Sequence, residues 1–526
     1  MTTQELLACA TSKSTQYIQQ VVNSKSNADY QKLKKFFDSQ LFEANSFDDT
    51  ELDILTFDWE SLERDRNWWW QLQALPFLNW FANSFEIQSC EERLHYYSKC
   101  LVSIQCWMSS AKQNKQSPLV WHDHATAFRV RNIANWMLFC HIVGIQIGND
   151  AHADALADLV TEHLDWLLED THYSTHTNHG FDQAMIALTI GLMFDCEKFG
   201  PHRQINRQRL KNEVIFAFTN EGVHKENSPG YQKMMLGRLK LLRTLALLGE
   251  QEISELGERY IENAEGFLKA VTLPNGYLPM IGDTRSEDEG LVYIQKREVD
   301  VLDYSASGYV IVRGIDGRDK DFFCLLKNTH ESNYHRHDDD MMIYLFYDGE
   351  TVLGDGGLYR HQETDDKRKH LRSYLSHNVP YIKKKAVRKN QDLIEAPVIK
   401  IVDKFVYRMT SMMFGEKLAR NIEIALSPSL TISIYDHVID DIGEKIWTNF
   451  FFENPYNILL DESAVRIHLS GFCFNVSHSK SAPIIVEKGW ENSEEVGGAF
   501  VSKKYGHVER ALRLSIAESP LTLSFS

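Results

Sequence analysis

Two histidines separated by one residue, His335 and His337, open a stretch that continues with Asp338, Asp339 and Asp340 and reaches a further acid in Asp355-Gly356-Gly357. Imidazole and carboxylate are common ligands for a borderline metal such as zinc, and they are also the usual proton carriers near neutral pH. In an extended strand, residues two apart face the same way, so His335 and His337 are expected to project together. The stretch points either to a divalent metal site or to an acid–base site. The plainer alternative is a polar loop entering an ordinary hairpin, since an apolar run, a turn signal at Asp348-Gly349 and a second short apolar run come next.

Three earlier patches are more polar than their surroundings require. The first is Trp121-His122-Asp123-His124, running on to Arg129 and Arg131, where Asp123 is a candidate N-cap. Arg129 is the basic group expected to hold an acidic substrate, because a guanidinium can grip a carboxylate with two parallel hydrogen bonds. In the second patch, Thr177-Asn178-His179-Gly180, a loop enters a helix, so Asn178 and His179 would stand at a helix N-terminus, which favours anions. The third runs from Gly222 through Glu226, Ser228, Pro229 and Gly230 to Tyr231 at the start of a helix. Tyr231 is either a polar-tipped core residue or a positioned acid–base group.

The elements that must position these residues change character along the chain. Up to about residue 290 the spacing is helical, with segments near 91–112, 125–147, 151–169, 181–199, 204–220, 231–248 and 253–271. Trp59, Trp68, Trp69, Trp70, Phe77, Trp80 and Phe81 form an aromatic cluster expected to be core, although a few of these rings could face a sugar. Between Gln295 and Ser307 the pattern turns to short alternating runs with frequent turn residues. We expect an α+β multidomain chain, helical over residues 1–300 and antiparallel β, as a sandwich of two sheets, over 301–526.

Bulk properties narrow the partners. A 526-residue chain with 43% hydrophobic and 25% charged residues is long enough for two or three cored domains. A formal net charge of −17 argues against nucleic acid and requires any acidic ligand to be met by a local basic patch. The eight scattered cysteines lack any Cys-x-x-Cys pair and fit reduced thiols. With neither a signal-peptide pattern nor a membrane-spanning run in view, a cytoplasmic protein without membrane contact is expected, or an exported one if a leader has been removed.

In order, Asn178-His179-Gly180, Glu226-x-Ser228-Pro229-x-Tyr231, Ser307-Gly308-Tyr309, His335-x-His337, Asp355-x-Gly357 and His377-Asn378-Val379 give this chain a resemblance to the heparinase II/III-like polysaccharide lyases, from about Trp121 to at least Val379. The resemblance implies an incomplete (α/α) toroid followed by an antiparallel β-sandwich, with an active cleft between them. It also implies β-eliminative cleavage of a uronic-acid-containing polysaccharide such as a glycosaminoglycan or alginate. In that picture Asn178 neutralises the uronate carboxylate, His179 and Tyr231 supply acid–base groups, and His335 is a further cleft histidine. Arg129 and Glu226 are expected to bind substrate. His337, Asp355 and His377 would hold one divalent ion, zinc by donor type, in a mainly structural role. Gln232 stands where many relatives carry histidine. A homodimer is compatible with the chain.

The chemistry suits these residues. Removing the proton at C5 next to a carboxylate needs neutralisation of that charge, a base near C5 and an acid near the oxygen leaving C4. A free tyrosine titrates at about 10, so Tyr231 acting as a base would need positive neighbours, for which Lys225, Arg285 and the histidines are candidates. A tight turn at Asp348-Gly349 would set Asp355 opposite Met342, several residues from His337, so convergence of the metal ligands needs a bulge or a bend. A uronyl C5-epimerase and a non-catalytic polysaccharide-binding protein are the competing readings. Asp338, Asp339 and Asp340 receive no role.

Overall fold

The structure, a computed structural model, describes residues 1–526 apart from 60–63, 115–118, 148–150, 295, 330, 333, 384, 386, 388–394, 440–444 and 490–497, and gives only the backbone of 151–154. Gln295, where the change of pattern begins, therefore lies outside the described residues. The chain packs into two compact units, Met1–Ala217 with Arg238–Arg259, and Phe218–Gly237 with Tyr260–Ser526.

The first unit is built from helices. They are α1 (Thr3–Ala8), α2 (Ser12–Val21), α3 (Asn27–Asp38), α4 (Arg66–Gln73), α5 (Phe77–Ser84), α6 (Cys90–Ser110), α7 (Asp123–Ile142), α8 (Ala151–Leu168), α9 (Asn178–Met193) and α10 (Gly200–Ala217). A two-stranded ribbon, β1 (Leu41–Phe42) with β2 (Thr50–Glu51), interrupts them. Helix α11 (Pro229–Leu241) ends in this unit, α12 (Arg243–Leu247) lies within it, and α13 (Gln251–Val271) begins in it. The segment expected as one helix over 231–248 is thus two, parted at Leu242. Side-chain caps fix several starts: Ser89 and Glu92 close a reciprocal box at α6, and Thr177 accepts the Gly180 amide at α9. The aromatic cluster is core as expected, with Phe36 stacked on Phe77 at 5.3 Å between ring centres and Trp59, Trp68, Trp69, Phe77, Trp80 and Phe81 all buried. Trp70 is the partly exposed ring of that group.

The second unit begins with α11 and the C-terminal part of α13, then turns to sheet at Asp300, where the change to strands is expected. Strands β3 (Asp300–Tyr304), β4 (Tyr309–Ile315), β5 (Asp321–Lys327), β6 (Met342–Tyr347) and β7 (Glu350–Leu353) form one antiparallel sheet in that order. Gly308, between β3 and β4, has φ +80°, and a Cβ there would lie 2.4 Å from that of Thr329, so only glycine fits. A short helix α14 (Asp366–Arg372) follows. The strands after Pro380 form an eight-stranded antiparallel sheet, a four-stranded one and a two-stranded ribbon. There are thus three principal sheets among the described residues where two are expected.

The Asp348-Gly349 turn is as expected, with φ 48° and 86° and Tyr347 paired to Glu350. The predicted need for a bulge is also met, since the register shifts between Leu345 and Phe346. After Leu353 the chain leaves β6, with the Gly354 amide bonding to the Phe451 carbonyl at 3.0 Å. Arg420 pins the loops around the site. It grips Asp436 with two bonds of 2.7 Å and reaches the carbonyls of Met341 and Asn378 at 2.8 and 2.9 Å. All eight cysteines are free, and among the described residues no helix is long and apolar enough to cross a membrane.

Candidate active site

The candidate residues fall into two clusters, one in each unit. In the helical unit, Asn178 and His179 occupy the first turn of α9, as expected, behind the Thr177 cap. Gly180 lets this turn pass close to Ser174, whose carbonyl oxygen would sit 2.3 Å from an added Cβ. Asp123 is not the N-cap of α7. His122 holds that position, and Asp123 is the first helical residue. Its carboxylate instead accepts from His179 Nδ1 at 3.1 Å and from the Ser174 hydroxyl at 2.5 Å, and its charge is held well below the usual carboxylate range despite burial. The His179 ring stacks on His124 at 4.2 Å, His124 stacks on Trp70 at 5.2 Å, and His124 Nε2 lies 2.7 Å from Asp182. Burial pushes the His124 imidazole down to about 4, so it is neutral at ordinary pH.

Arg129 does not serve as a substrate ligand. It is fully buried (0% exposed), its Nε donates to His163 at 2.8 Å and an Nη to the Gln73 carbonyl at 3.0 Å, and its guanidinium lies 4.1 Å from the Trp107 ring centre. Its amphipathic length and flat head, which make it attractive as a clamp, here brace three aromatic-rich helices from inside. Arg129→Met is therefore expected to destabilise the protein by about 2–4 kcal/mol, through the stranded carbonyl and imidazole, while leaving substrate KM unchanged. Denaturant unfolding and steady-state kinetics measure the two effects separately; a raised KM at unaltered stability would reinstate the clamp.

The second cluster surrounds Tyr231 and His335, whose rings stack at 3.9 Å. The start of α11 is locked onto the 281–284 loop. The Thr284 hydroxyl accepts the Gly230 amide at 3.0 Å and meets Ser228 Oγ at 2.9 Å, and a side chain at Gly230 would press on Asp288 and Thr284. Asn227 donates to the carbonyls of Ser332 at 3.0 Å and Tyr334 at 3.1 Å, fixing the loop that carries His335. His335 and His337 are not in a strand. They lie in an irregular loop, with His335 in the left-handed region at φ 54°. They still converge, because both reach Asp283. Its Oδ2 meets His335 Nδ1 at 2.7 Å and its Oδ1 meets His337 Nε2 at 3.0 Å, while Arg368 donates to both oxygens at 2.5 and 2.7 Å.

Glu226, expected to bind substrate, is 1% exposed and stands behind the histidine instead, 3.6 Å from His335 Nε2 and 3.7 Å from His224 Nε2. Gln232 takes no part near Tyr231. It accepts the His224 amide at 2.6 Å and donates to Gly222 and Ala264, so its departure from the family pattern leaves the tyrosine in place. The expected positive field at Tyr231 is outweighed. Burial first, then Asp283 and Glu226, push the phenol well above its ordinary value of about 10, and Arg368 and Arg285 only partly oppose them. Lys225 is engaged 3.8 Å from Glu331. These surroundings favour the protonated form of the phenol.

His337, Asp355 and His377 come together as expected, with one donor atom of each within 4.8 Å of the others and all three buried. The bulge between Leu345 and Phe346 and the departure of the chain at Gly354 allow this. The donor set fits a divalent ion on an independent ground: His337 Nδ1 and His377 Nε2 are buried without a hydrogen-bond partner. Burial brings the His337 imidazole down to about 4, which leaves it in the neutral form a metal requires. The three acids after His337 divide. Asp339 pairs with buried Lys327 and Asp340 binds Arg336 and Ser411, both scaffold contacts, while the backbone amide of Asp338 donates to the Arg372 carbonyl at 2.8 Å.

Sequence reasoning missed Asp283, Arg368 and His361, whose ring centre lies 6.0 Å from that of His335. Gly282, at φ 59° directly before Asp283, marks a special loop, but nothing in one sequence ties it to His335. Arg368 is hidden in the charged run Asp365-Asp366-Lys367-Arg368-Lys369, which reads as a solvated face.

A helical unit followed by antiparallel sheets is the architecture of the toroid and β-sandwich class of polysaccharide lyases. Residues 7–302 match the family described as heparinase II/III N-terminus, and the chain belongs to the heparinase II/III family. Among solved structures it is similar to a heparinase III (14% identity, TM-score 0.72, covering 96% of this chain and 85% of that one). It is also similar to the heparan sulfate lyase HepC from Pedobacter heparinus (15% identity, TM-score 0.58, covering 95% and 83%). At these identities the likeness is one of fold. No curated protein matches the sequence.

Proposed function

We propose that the protein cleaves a uronic-acid-containing acidic polysaccharide or oligosaccharide, of glycosaminoglycan type, by β-elimination. The observation that carries this reading is the Tyr231–His335 ring stack, in which His335 Nδ1 meets the buried, Arg368-paired Asp283 carboxylate. A neutral imidazole that gives its Nδ1 proton to Asp283 offers Nε2 as a base. In the proposed step, His335 Nε2 takes the C5 proton, the electron pair forms the C4–C5 double bond, the C4–O bond breaks, and Tyr231 protonates the departing oxygen. For Asn178, and for His179 held through Nδ1 by Asp123, we keep the roles the family resemblance implies, neutralising a uronate carboxylate and transferring a proton. Glu226 acts on His335 rather than on the sugar.

His337, His377 and Asp355 would hold one zinc ion, which when bound cross-links the His335 loop to the segments after β7 and before Pro380. The ion has no part in the proton transfers.

The test is incubation with a panel of uronic-acid polymers while following the ultraviolet absorbance of the unsaturated product; no product from any of them would remove the reading. The pH profile gives a sharper check. Because the tyrosine's pKa is raised, its acid form persists through pH 10, so the rate is expected to show no alkaline fall up to about pH 10. An alkaline fall well below pH 10 that disappears in Tyr231→Phe would mean the phenol is not so placed.

A further inference from the structure

The two histidines given separate tasks above share one anchor. Asp283 has a side chain 0% exposed, and each of its oxygens receives one guanidinium N–H and one imidazole nitrogen. Four donors fill the good acceptor directions of a carboxylate. Asp283 therefore does not act as a metal ligand, although an oxygen of it lies within 4.8 Å of nitrogens of His335 and His361.

A neutral imidazole carries one N–H, and the acceptor that takes it decides which nitrogen keeps the lone pair. Since Asp283 takes the proton of Nδ1 on His335 and of Nε2 on His337, the free nitrogens are His335 Nε2 and His337 Nδ1. The first faces the Tyr231 and Glu226 side, and the second is the buried, unpartnered atom of the two-histidine, one-aspartate set. The anchor is held from three directions. Arg368 clamps it, Gly282 carries it in a left-handed turn where a Cβ would lie 3.1 Å from the Asn227 carbonyl, and Thr284 fastens the same loop to the start of α11.

We propose that Asp283 is a shared positioning residue that sets the tautomer and direction of both His335 and His337, so that proton transfer and metal binding depend on one carboxylate. The inference rests on the lyase reading for the role of His335. Its geometric core, two histidines with opposite tautomers on one acid, does not.

Two measurements test it. On the unaltered protein, nitrogen-15 NMR of labelled histidines is expected to show His335 protonated on Nδ1 and His337 on Nε2, each proton in a strong hydrogen bond. In Asp283→Asn the amide can accept from only one ring, so at least one tautomer must change. Zinc affinity, read by competition with a chelator, is then expected to fall roughly 10–100-fold. Turnover is expected to fall at least about 10²-fold with KM little changed. His335 protonated on Nε2 in the unaltered protein would overturn the proposal even if the variant fails to fold. So would an Asp283→Asn protein that keeps both zinc affinity and turnover. If no polymer is cleaved but tautomers and zinc affinity respond as described, the lyase reading fails and the shared anchor stands.

Discussion

Tyr231→Phe is expected to lower turnover roughly 10²–10⁴-fold, the range typical of losing a positioned general acid. The substitution keeps the ring, so the 3.9 Å stack with His335 and the packing of the first turn of α11 persist, and only the hydroxyl is lost. Stability should therefore change little, and thermal unfolding serves as the control. Two buried carboxylates, Asp283 and Glu226, face the phenol, and together with burial they outweigh Arg368 and Arg285. A bound uronate would add negative charge and keep the proton in place. An acid that holds its proton until the leaving oxygen needs it is what the second half of an elimination requires. Full activity in the phenylalanine protein would sink the mechanism.

The second large effect is expected at His337. Metal analysis of the unaltered protein should give about one ion per chain, and His337→Ala should give none. Binding to the folded state alone contributes about 2.7 kcal/mol when free metal stands at 100 times its dissociation constant, so chelation should lower the unfolding midpoint of the unaltered protein by several degrees. The same chelator should leave the variant's midpoint where it is. That difference separates loss of the ion from loss of packing, since the imidazole is buried and its removal carries a cost of its own. A midpoint indifferent to chelator in the unaltered protein would show that no structural ion is held.

What could be read from the sequence, and what could not, follows the range of the forces involved. Helices such as α6, with its Ser89–Glu92 box, and the type I′ turn at Asp348-Gly349 are written in neighbours along the chain, and both were legible. Strand β6 is buried at all six positions and shows an unbroken apolar run, so its pairing is less visible than that of Thr431–Val438, which alternates. Among candidate site residues, the short motifs pick out Asn178, Tyr231 and the histidines. Arg129 misled because a guanidinium's chemistry is the same whether it grips a substrate or a core carbonyl; only burial tells them apart. The Asp283–His335 contact joins residues 52 apart through a loop with no periodicity, and its meaning depends on Arg368 in a third segment. Such a meeting has no local signature.

The division of the chain into Met1–Ala217 with Arg238–Arg259, and Phe218–Gly237 with Tyr260–Ser526, has a consequence for how the protein is made. Tyr231 is synthesised about a hundred residues before His335, with a stretch belonging to the helical unit between them. A ribosome adding about 5–20 residues each second delivers Asp283 with none of its imidazole partners and without Arg368. The loop 281–284 must wait, carrying a carboxylate that becomes buried only when its counter-charge arrives. Cutting the gene at residue 300 to isolate the β half would leave Tyr231 and Asp283 behind, so the smallest piece worth expressing for the second cluster starts no later than Phe218.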